Sequence, residues 1–259
     1  MGDAPNHRAL VAKIATKYHV AGIVVDRKKQ LNRKEGIITT WKKIINKLRF
    51  GKIDAAWTKL QQHYHSRFPE WPARQVLFTD SINSREAFHF TQHLQPDLVI
   101  VSGTSLVKEP MVSFPLYTGI MNLHTGLSPY VKGGPNCTNW CIANNEWGLI
   151  GNTIMWLSAG IDSGNIITSE KTDISDESDL SSIHLKVMEH AHDLYLRAIH
   201  YVLNTDPPYQ SVPQSALGKG NLYLTRMWTS EKKKQLLRNL KAERNAETNP
   251  EVKTVPLPV

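Results

Sequence analysis

The chain has 259 residues, with 31 Lys and Arg against 23 Asp and Glu, a formal charge of +8 when its 11 histidines are neutral. That length suits one large domain or a main domain with an appendage, and 41% hydrophobic against 21% charged residues is enough apolar material for a core, which excludes a disordered chain. The longest apolar runs, such as residues 22–25 and 98–101, fall far short of the roughly 20 residues a bilayer span requires, so no membrane span is expected.

The opening MGDAPNHR carries no apolar run with a small-residue cleavage site and does not read as a secretory signal. Cys137 and Cys141 are four apart in a helical stretch, a spacing that suits neither a metal knuckle nor a disulfide scaffold. A reducing, cytoplasmic location is the expectation, with no metal. The positive charge raises the question of nucleic acid. The basic residues concentrate at 28–52 and 232–244, spaced through helical patterns and mixed with Glu, Gln and Asn. They read as solvated helix faces or as a patch facing an anionic substrate, a nucleotide diphosphate or an RNA.

In chain order, residues 6–18 repeat Leu10, Val11, Ile14 and Ala15 at helical spacing, and 20–25 form a short β-branched run. This predicts a helix leading into a buried strand. Because that helix opens almost at Met1, the strand that would feed it in an α/β unit is expected to be missing. Residues 30–68, charged and punctuated by tryptophan, predict an inserted helical excursion. Residues 74–78 predict a strand, and Asn83 with Glu86 a capping box opening a helix that Pro96 ends. A fully apolar strand at 97–101, a short helix at 105–113, a strand at 119–123 and a Gly- and Pro-rich loop at 125–135 follow. A helix at 136–144 and strands at 152–157 and 165–170 come next, the strands joined by the tight turn 159–164. A long helix at 180–203 holds Ile183, Val187, Ala191, Leu194, Ala198 and Val202 on one face. Pro207, Pro208 and Pro213 mark a linker, beyond which lie a strand candidate at 222–224, a basic helix at 230–244 and a Pro-containing tail expected to fray.

Alternating strands and helices predict a Rossmann-like α/β fold: a mostly parallel sheet with helices on both faces, its first strand missing, and a small C-terminal appendage. The expected division is a main domain over 1–206 and an appendage over 207–259. In such sheets the functional crevice lies beyond the carboxyl ends of strands, which points to the loops after Val101, Leu123 and Leu157.

At one of these ends Asn122 and His124, two apart in a strand, point to the same side. An amide beside an imidazole suits hydrogen bonding to a developing oxyanion. Asp162, in the turn AGIDSGN, presents a carboxylate that near His124 would orient the ring and favour its charged form. Taken singly, Asn-x-His also fits a polar strand cap, and Asp162 a turn residue. His89 and His93 have i, i+4 spacing, but no Glu follows His89 to complete a zinc-protease motif, and Phe88 and Phe90 point to packing. No nucleophile elbow, phosphate loop or intact dinucleotide-binding glycine motif occurs, which counts against an esterase, a phosphate-loop NTPase and a nicotinamide dehydrogenase. The tryptophans read mostly as core bodies, with Trp140 and Trp156 nearest the crevice.

The stretches DLVIVSGTSLV, NLHTGLSPYVKGGPN and GNTIMWLSAGIDSGNII, in this order over residues 97–167, resemble the formyltransferases that use formyltetrahydrofolate. Members of that family act on glycinamide ribonucleotide, methionyl-tRNA or nucleotide-linked amino sugars. The resemblance implies transfer of a formyl group from formyltetrahydrofolate, as co-substrate, to a primary amine. It assigns the catalytic residues to Asn122, His124 and Asp162, and the pterin site to Gly103, Thr104, Ser105 and Leu106 with Gly160, Ile161 and Ser163. Tyr130, Lys132, Gly133 and Gly134 would face the acceptor. Ser158 departs from the acidic residue that many members carry, which bears on the pterin loop. The phrases SGTSLVKEP and NLHTGLSPYVKGGPN look closest to the nucleotide-sugar amine enzymes of bacterial surface polysaccharide synthesis, so a nucleotide-linked amino sugar is the expected acceptor, with a homodimer expected and nucleic acid not expected as partner. A methionyl-tRNA acceptor is the rival, set back because the residues after Pro213 are too few and too helical for the further β-barrel of those enzymes. A hydrolase releasing formate from the same folate and a non-catalytic folate or nucleotide binder are the other readings.

Overall fold

The computed structural model describes residues 1–27, 37–242 and 252–258, the side chains of 37–47 excepted. Much of the basic stretch at 28–52, the start of the expected excursion at 30–36 and the end of the expected basic helix at 243–244 lie outside these residues.

Helix α1 (Pro5–Ala15) opens with a proline in its first turn, where the missing N–H is not needed. It leads to β1 (Ile23–Asp26), shorter than the apolar run implies. The helical excursion is one long helix, α2 (Ile37–Arg67), followed by β2 (Val76–Thr79). Helix α3 (Arg85–Leu94) starts one residue later than the capping box predicts: Ser84 is the cap, its Oγ accepting from the Ala87 N–H at 3.1 Å. Asn83 is spent elsewhere, donating to the Leu106 carbonyl (2.9 Å) and accepting from the Lys108 N–H (2.7 Å). After β3 (Leu98–Ser102) the helix expected at 105–113 is only a 3-10 turn at Met111–Ser113. Pro110 lacks an N–H and disfavours helical backbone in Glu109, so no α-helix can run through it. Next come β4 (Gly119–His124), β5 (Val131–Gly133), α4 (Cys137–Asn144), β6 (Gly151–Trp156) and β7 (Ile166–Lys171). Helix α5 (Leu180–Leu203), capped by Asp179, is followed by β8 (Asn221–Tyr223) and α6 (Ser230–Asn239).

Strands β1 and β2 pair in parallel, as do β3 and β4, while β4, β6 and β7 run antiparallel. The link from β6 to β7 is a tight turn, too short for the crossover that parallel neighbours need, so this pair must be a hairpin. At the place of the expected missing strand, the first two residues form a single rung between β1 and β3. The Met1 ammonium donates to Val24 O (2.8 Å), the Asp26 N–H donates to Met1 O (2.9 Å), and the Gly2 N–H donates to Ser102 O (2.9 Å). Beside that rung lies a cavity of about 510 Å³ walled by Val11, Ile14, Val24, Leu98 and Ile100 among others.

Period-two alternation sorts the sheet's side chains into two apolar layers. Leu98, Ile100, Met121 and Leu123 pack with α1 and α5, through Leu10, Ile14, Ala191, Leu194 and Ala198. Val99, Val101 and Ile120 pack on the other face with Ile82, Phe88 and Met111. The helices expected on both faces are therefore present. A third cluster joins α4 and α6 around Trp140, Ile142 and Leu236.

The segment after residue 206 is knitted into this body. Val212 and Ile166 exchange two backbone hydrogen bonds of 2.8 Å, β8 pairs in parallel with β5, and Leu236 is fully buried. The tail, expected to fray, is held over 252–258: Ser169 donates its N–H to Val255 O (2.8 Å), and the Val255 N–H donates to Ser169 Oγ (3.0 Å). Pairing with the middle of β7 supplies the partners that composition alone does not reveal. Among the described residues no helix is long and apolar enough to cross a membrane.

Candidate active site

Strand β4 ends at His124, and its alternation sends Asn122 and His124 to the same side, toward the turn between β6 and β7. Asp162 sits in that turn with φ +47°, a left-handed conformation unusual for a residue with a side chain. Its carboxylate draws in three donors. Oδ2 lies 3.3 Å from His124 Nδ1 and accepts from the Gly133 N–H at 2.9 Å, while Oδ1 faces the Asn122 amide at 3.5 Å. The last distance is the outer limit of a hydrogen bond, so the amide of Asn122 is only loosely engaged.

The imidazole of His124 is buried, 7% exposed. Nδ1 faces a carboxylate and Nε2 faces the Val131 carbonyl at 2.9 Å, with Cys137 Sγ at 3.6 Å. Two oxygen acceptors on opposite nitrogens can both be satisfied only if both nitrogens carry a proton, that is, by an imidazolium. Burial works against that charge, but the Asp162 carboxylate, with the sulfur of Cys137 and the Val131 carbonyl, outweighs it and holds the ring pKa up at about 10. Asp162 thus lies where it can orient the ring and favour its charged form. The geometry adds that both N–H groups of His124 are already committed, leaving the Asn122 amide as the looser donor.

These groups open into a cavity of about 690 Å³. One wall is the loop after β3, residues 102–107, and the opposite wall the turn 160–164, so all seven residues of the expected pterin site face this space. Gly103 has φ +65°, a left-handed backbone that favours glycine, and lies so close to His7 that a Cβ there would press on its ring. The loop is braced by Asp26, whose buried carboxylate accepts from the Ser105 N–H at 2.6 Å. In the turn, Ser158 Oγ meets Ser163 Oγ at 2.7 Å, so the residue that departs from the family pattern is used to hold the turn.

The expected acceptor set divides. Gly133 and Gly134 line the cavity; Tyr130 and Lys132 are not among its lining residues. The Tyr130 hydroxyl pairs with Leu217 O (3.1 Å) and accepts from the Lys253 N–H (3.1 Å), and Lys132 lies mid-strand opposite Leu222. Tyr130 is thus engaged by the C-terminal segment. Of the tryptophans, Trp156 lines the cavity as expected, but Trp140 is buried, stacked on Tyr223 at 4.4 Å, and braces Gly134 O through its indole N–H (3.2 Å). Trp57 of α2, 39% exposed, stands on the cavity wall in its place.

Sequence reading missed Asn6, His7, Trp57, Met188, Leu224 and Thr225, which complete the wall. They come from α1, α2, α5 and the C-terminal segment, and no local motif marks them. It also missed Gln214, whose side chain reaches the Asp162 turn from 52 residues away. Among the described residues no group of three or more His, Cys, Asp or Glu is arranged to hold a metal.

Residues 52–199 match the family described as formyl transferase, more than half of the chain. The chain belongs to the formyl transferase family. The methionyl-tRNA formyltransferase of Clostridium tetani (strain Massachusetts / E88) is 35% identical over 120 residues, 46% of this chain and 37% of that protein. The chain thus spans well under half the length of the curated formyltransferases it matches. Among solved structures, an N-formyltransferase from Helicobacter canadensis, in complex with folinic acid and dTDP-3-aminofucose, superposes with TM-score 0.58 at 14% identity, covering 92% of this chain and 78% of that one. Glycinamide ribonucleotide transformylase 1 from Symbiobacterium toebii gives 0.53 at 18%, covering 82% and 90%. At such identities these likenesses show the formyltransferase fold.

Proposed function

We propose that this chain transfers a formyl group from formyltetrahydrofolate to the primary amine of a nucleotide-linked amino sugar. The observation that carries the reading is the convergence of Asn122, His124 and Asp162 on one another at the wall of an open cavity. Formyltetrahydrofolate supplies the formyl group; the acceptor amine displaces the folate nitrogen from it, yielding the N-formylated sugar and tetrahydrofolate. The loop with Gly103, Thr104, Ser105 and Leu106 and the turn with Gly160, Ile161 and Ser163 hold the pterin, offering backbone donors and acceptors at a close-approach glycine. Gly133 and Gly134 line the acceptor's approach.

Asn122 donates its amide N–H to the formyl oxygen as negative charge develops there, an interaction worth about 2.7–4 kcal/mol of barrier in comparable sites. Asp162 accepts the proton that the amine loses on attack, and that proton is passed on to the folate nitrogen as it leaves. As Asp162 takes up the proton, its hold on the His124 Nδ1–H slackens, and that N–H becomes free to follow the developing charge. The imidazolium meanwhile supplies positive charge in a buried setting, where it acts at low screening.

The sugar acceptor is preferred on the phrases SGTSLVKEP and NLHTGLSPYVKGGPN, which resemble those of the nucleotide-sugar amine enzymes, and on the likeness to the Helicobacter canadensis N-formyltransferase, whose structure holds dTDP-3-aminofucose. The sequence relatives favour the methionyl-tRNA reading, so both acceptors belong in the test. The chain is incubated with formyltetrahydrofolate and, separately, a panel of nucleotide-linked amino sugars, methionyl-tRNA and buffer alone, with products read by mass spectrometry. A formylated sugar supports the proposal. Formylated methionyl-tRNA with no formylated sugar replaces the acceptor, and formate release in buffer alone at a rate matching the transfer turns the reading to a hydrolase.

A further inference from the structure

The left-handed turn that carries Asp162 is held from outside. Gln214 follows the Val212 bridge to Ile166, in a 3-10 turn at Gln214–Ala216. Its Nε2 donates to Asp162 O at 2.7 Å and to Gly164 O at 2.9 Å, two carbonyls of the same turn. Two carbonyl acceptors can be met only by the NH₂ end of the amide, which fixes the orientation of the side chain. The other end, Oε1, is then buried with no hydrogen-bond partner. Leaving an acceptor unmet in the interior is unfavourable, as is a left-handed φ of +47° in a residue with a Cβ. Two unfavourable features meeting at one turn mark a place where the surrounding structure imposes a geometry.

We propose that Gln214 is a positioning residue for formyl transfer: its amide clamps the turn from the C-terminal side and fixes the Asp162 carboxylate against His124, Asn122 and the Gly133 N–H. The clamp acts on the backbone of Asp162 and touches no reacting atom. It makes the segment after residue 206, through a single side chain, part of the catalytic apparatus. This inference rests on the formyl-transfer reading for its kinetic arm and on geometry alone for its spectroscopic arm.

The test compares Gln214→Ala and Gln214→Glu with wild type, and includes Asp162→Asn and Asn122→Ala as controls. Gln214→Ala is expected to lower kcat by roughly tenfold to a hundredfold, the usual result of displacing a reacting group by about 1 Å, with little change in KM for either substrate. Gln214→Glu keeps the length but turns an acceptor toward two carbonyls, and is expected to lose at least as much. Independently of turnover, NMR titration of the His124 ring, whose ionisable neighbours are Asp162 and Cys137, is expected to show the Gln214→Ala ring losing its proton at lower pH than wild type. Wild-type kcat in both Gln214 variants while the controls lose activity overturns the positioning role. A His124 titration unchanged in Gln214→Ala overturns the clamp, including where that variant is inactive only through poor folding, since the titration is read on the folded fraction. Wild-type transfer by the controls overturns the reading of the site itself.

Discussion

Asp162→Asn separates charge from shape at the centre of the site. Asparagine tolerates left-handed backbone about as well as any residue other than glycine, so it accepts φ +47°, and its amide oxygen can still receive the Gly133 N–H. What disappears is the charge beside His124, 3.3 Å away in a buried setting. With burial then opposed only by Cys137 and the Val131 carbonyl, the ring pKa is expected to fall below about 10. Formyl transfer is expected to drop by about 10²–10⁴, the usual contribution of a positioned acid or base. The pair also shapes stability. Because the folded pKa is raised, its stabilisation is full below about 6.5 and fades as pH rises through about 10. Wild type should therefore lose Tm over that interval, and Asp162→Asn should lose less. NMR titration of the His124 ring, initial-rate kinetics and Tm against pH check the three statements. A ring still titrating near 10 in the variant, or transfer at the wild-type rate, refutes the assignment of Asp162.

Two further outcomes test how the site is supported. Glu170 is held at a pKa of about 2, chiefly by the two hydrogen bonds of Arg197 (2.8 and 2.7 Å) and against the cost of burial, with His190 adding to the effect at 3.0 Å. A depressed carboxylate stabilises above its unfolded value of 4.5 and stops doing so as pH falls through 2, so Glu170→Gln should cost about 1 kcal/mol at neutral pH. That difference should close on acidification, as followed by urea melts at several pH values. Leu236, the fully buried anchor of α6 against α4, should cost about 2–5 kcal/mol when replaced by alanine, measured by chemical denaturation.

The sequence by itself determined the local pieces. Strict alternation in β4 put Asn122 and His124 on one side, and the apolar stripe of α5 gave a core helix, because each of these is a property of neighbours along the chain. The identity of the three converging residues came from motif order, and the family match over 52–199 spans the same stretches. Tertiary structure alone decided what depends on distant partners. The antiparallel turn of the sheet after β4 and the single rung formed by Met1 and Gly2 follow from pairing across the sheet. Tyr130 is engaged by residues 217 and 253, which only the docking of the C-terminal segment could decide. Trp57 and Gln214 reached the site from elements that carry no motif, since a side chain's neighbours across space are set by how elements dock, and docking leaves no periodic trace in the residues that supply it.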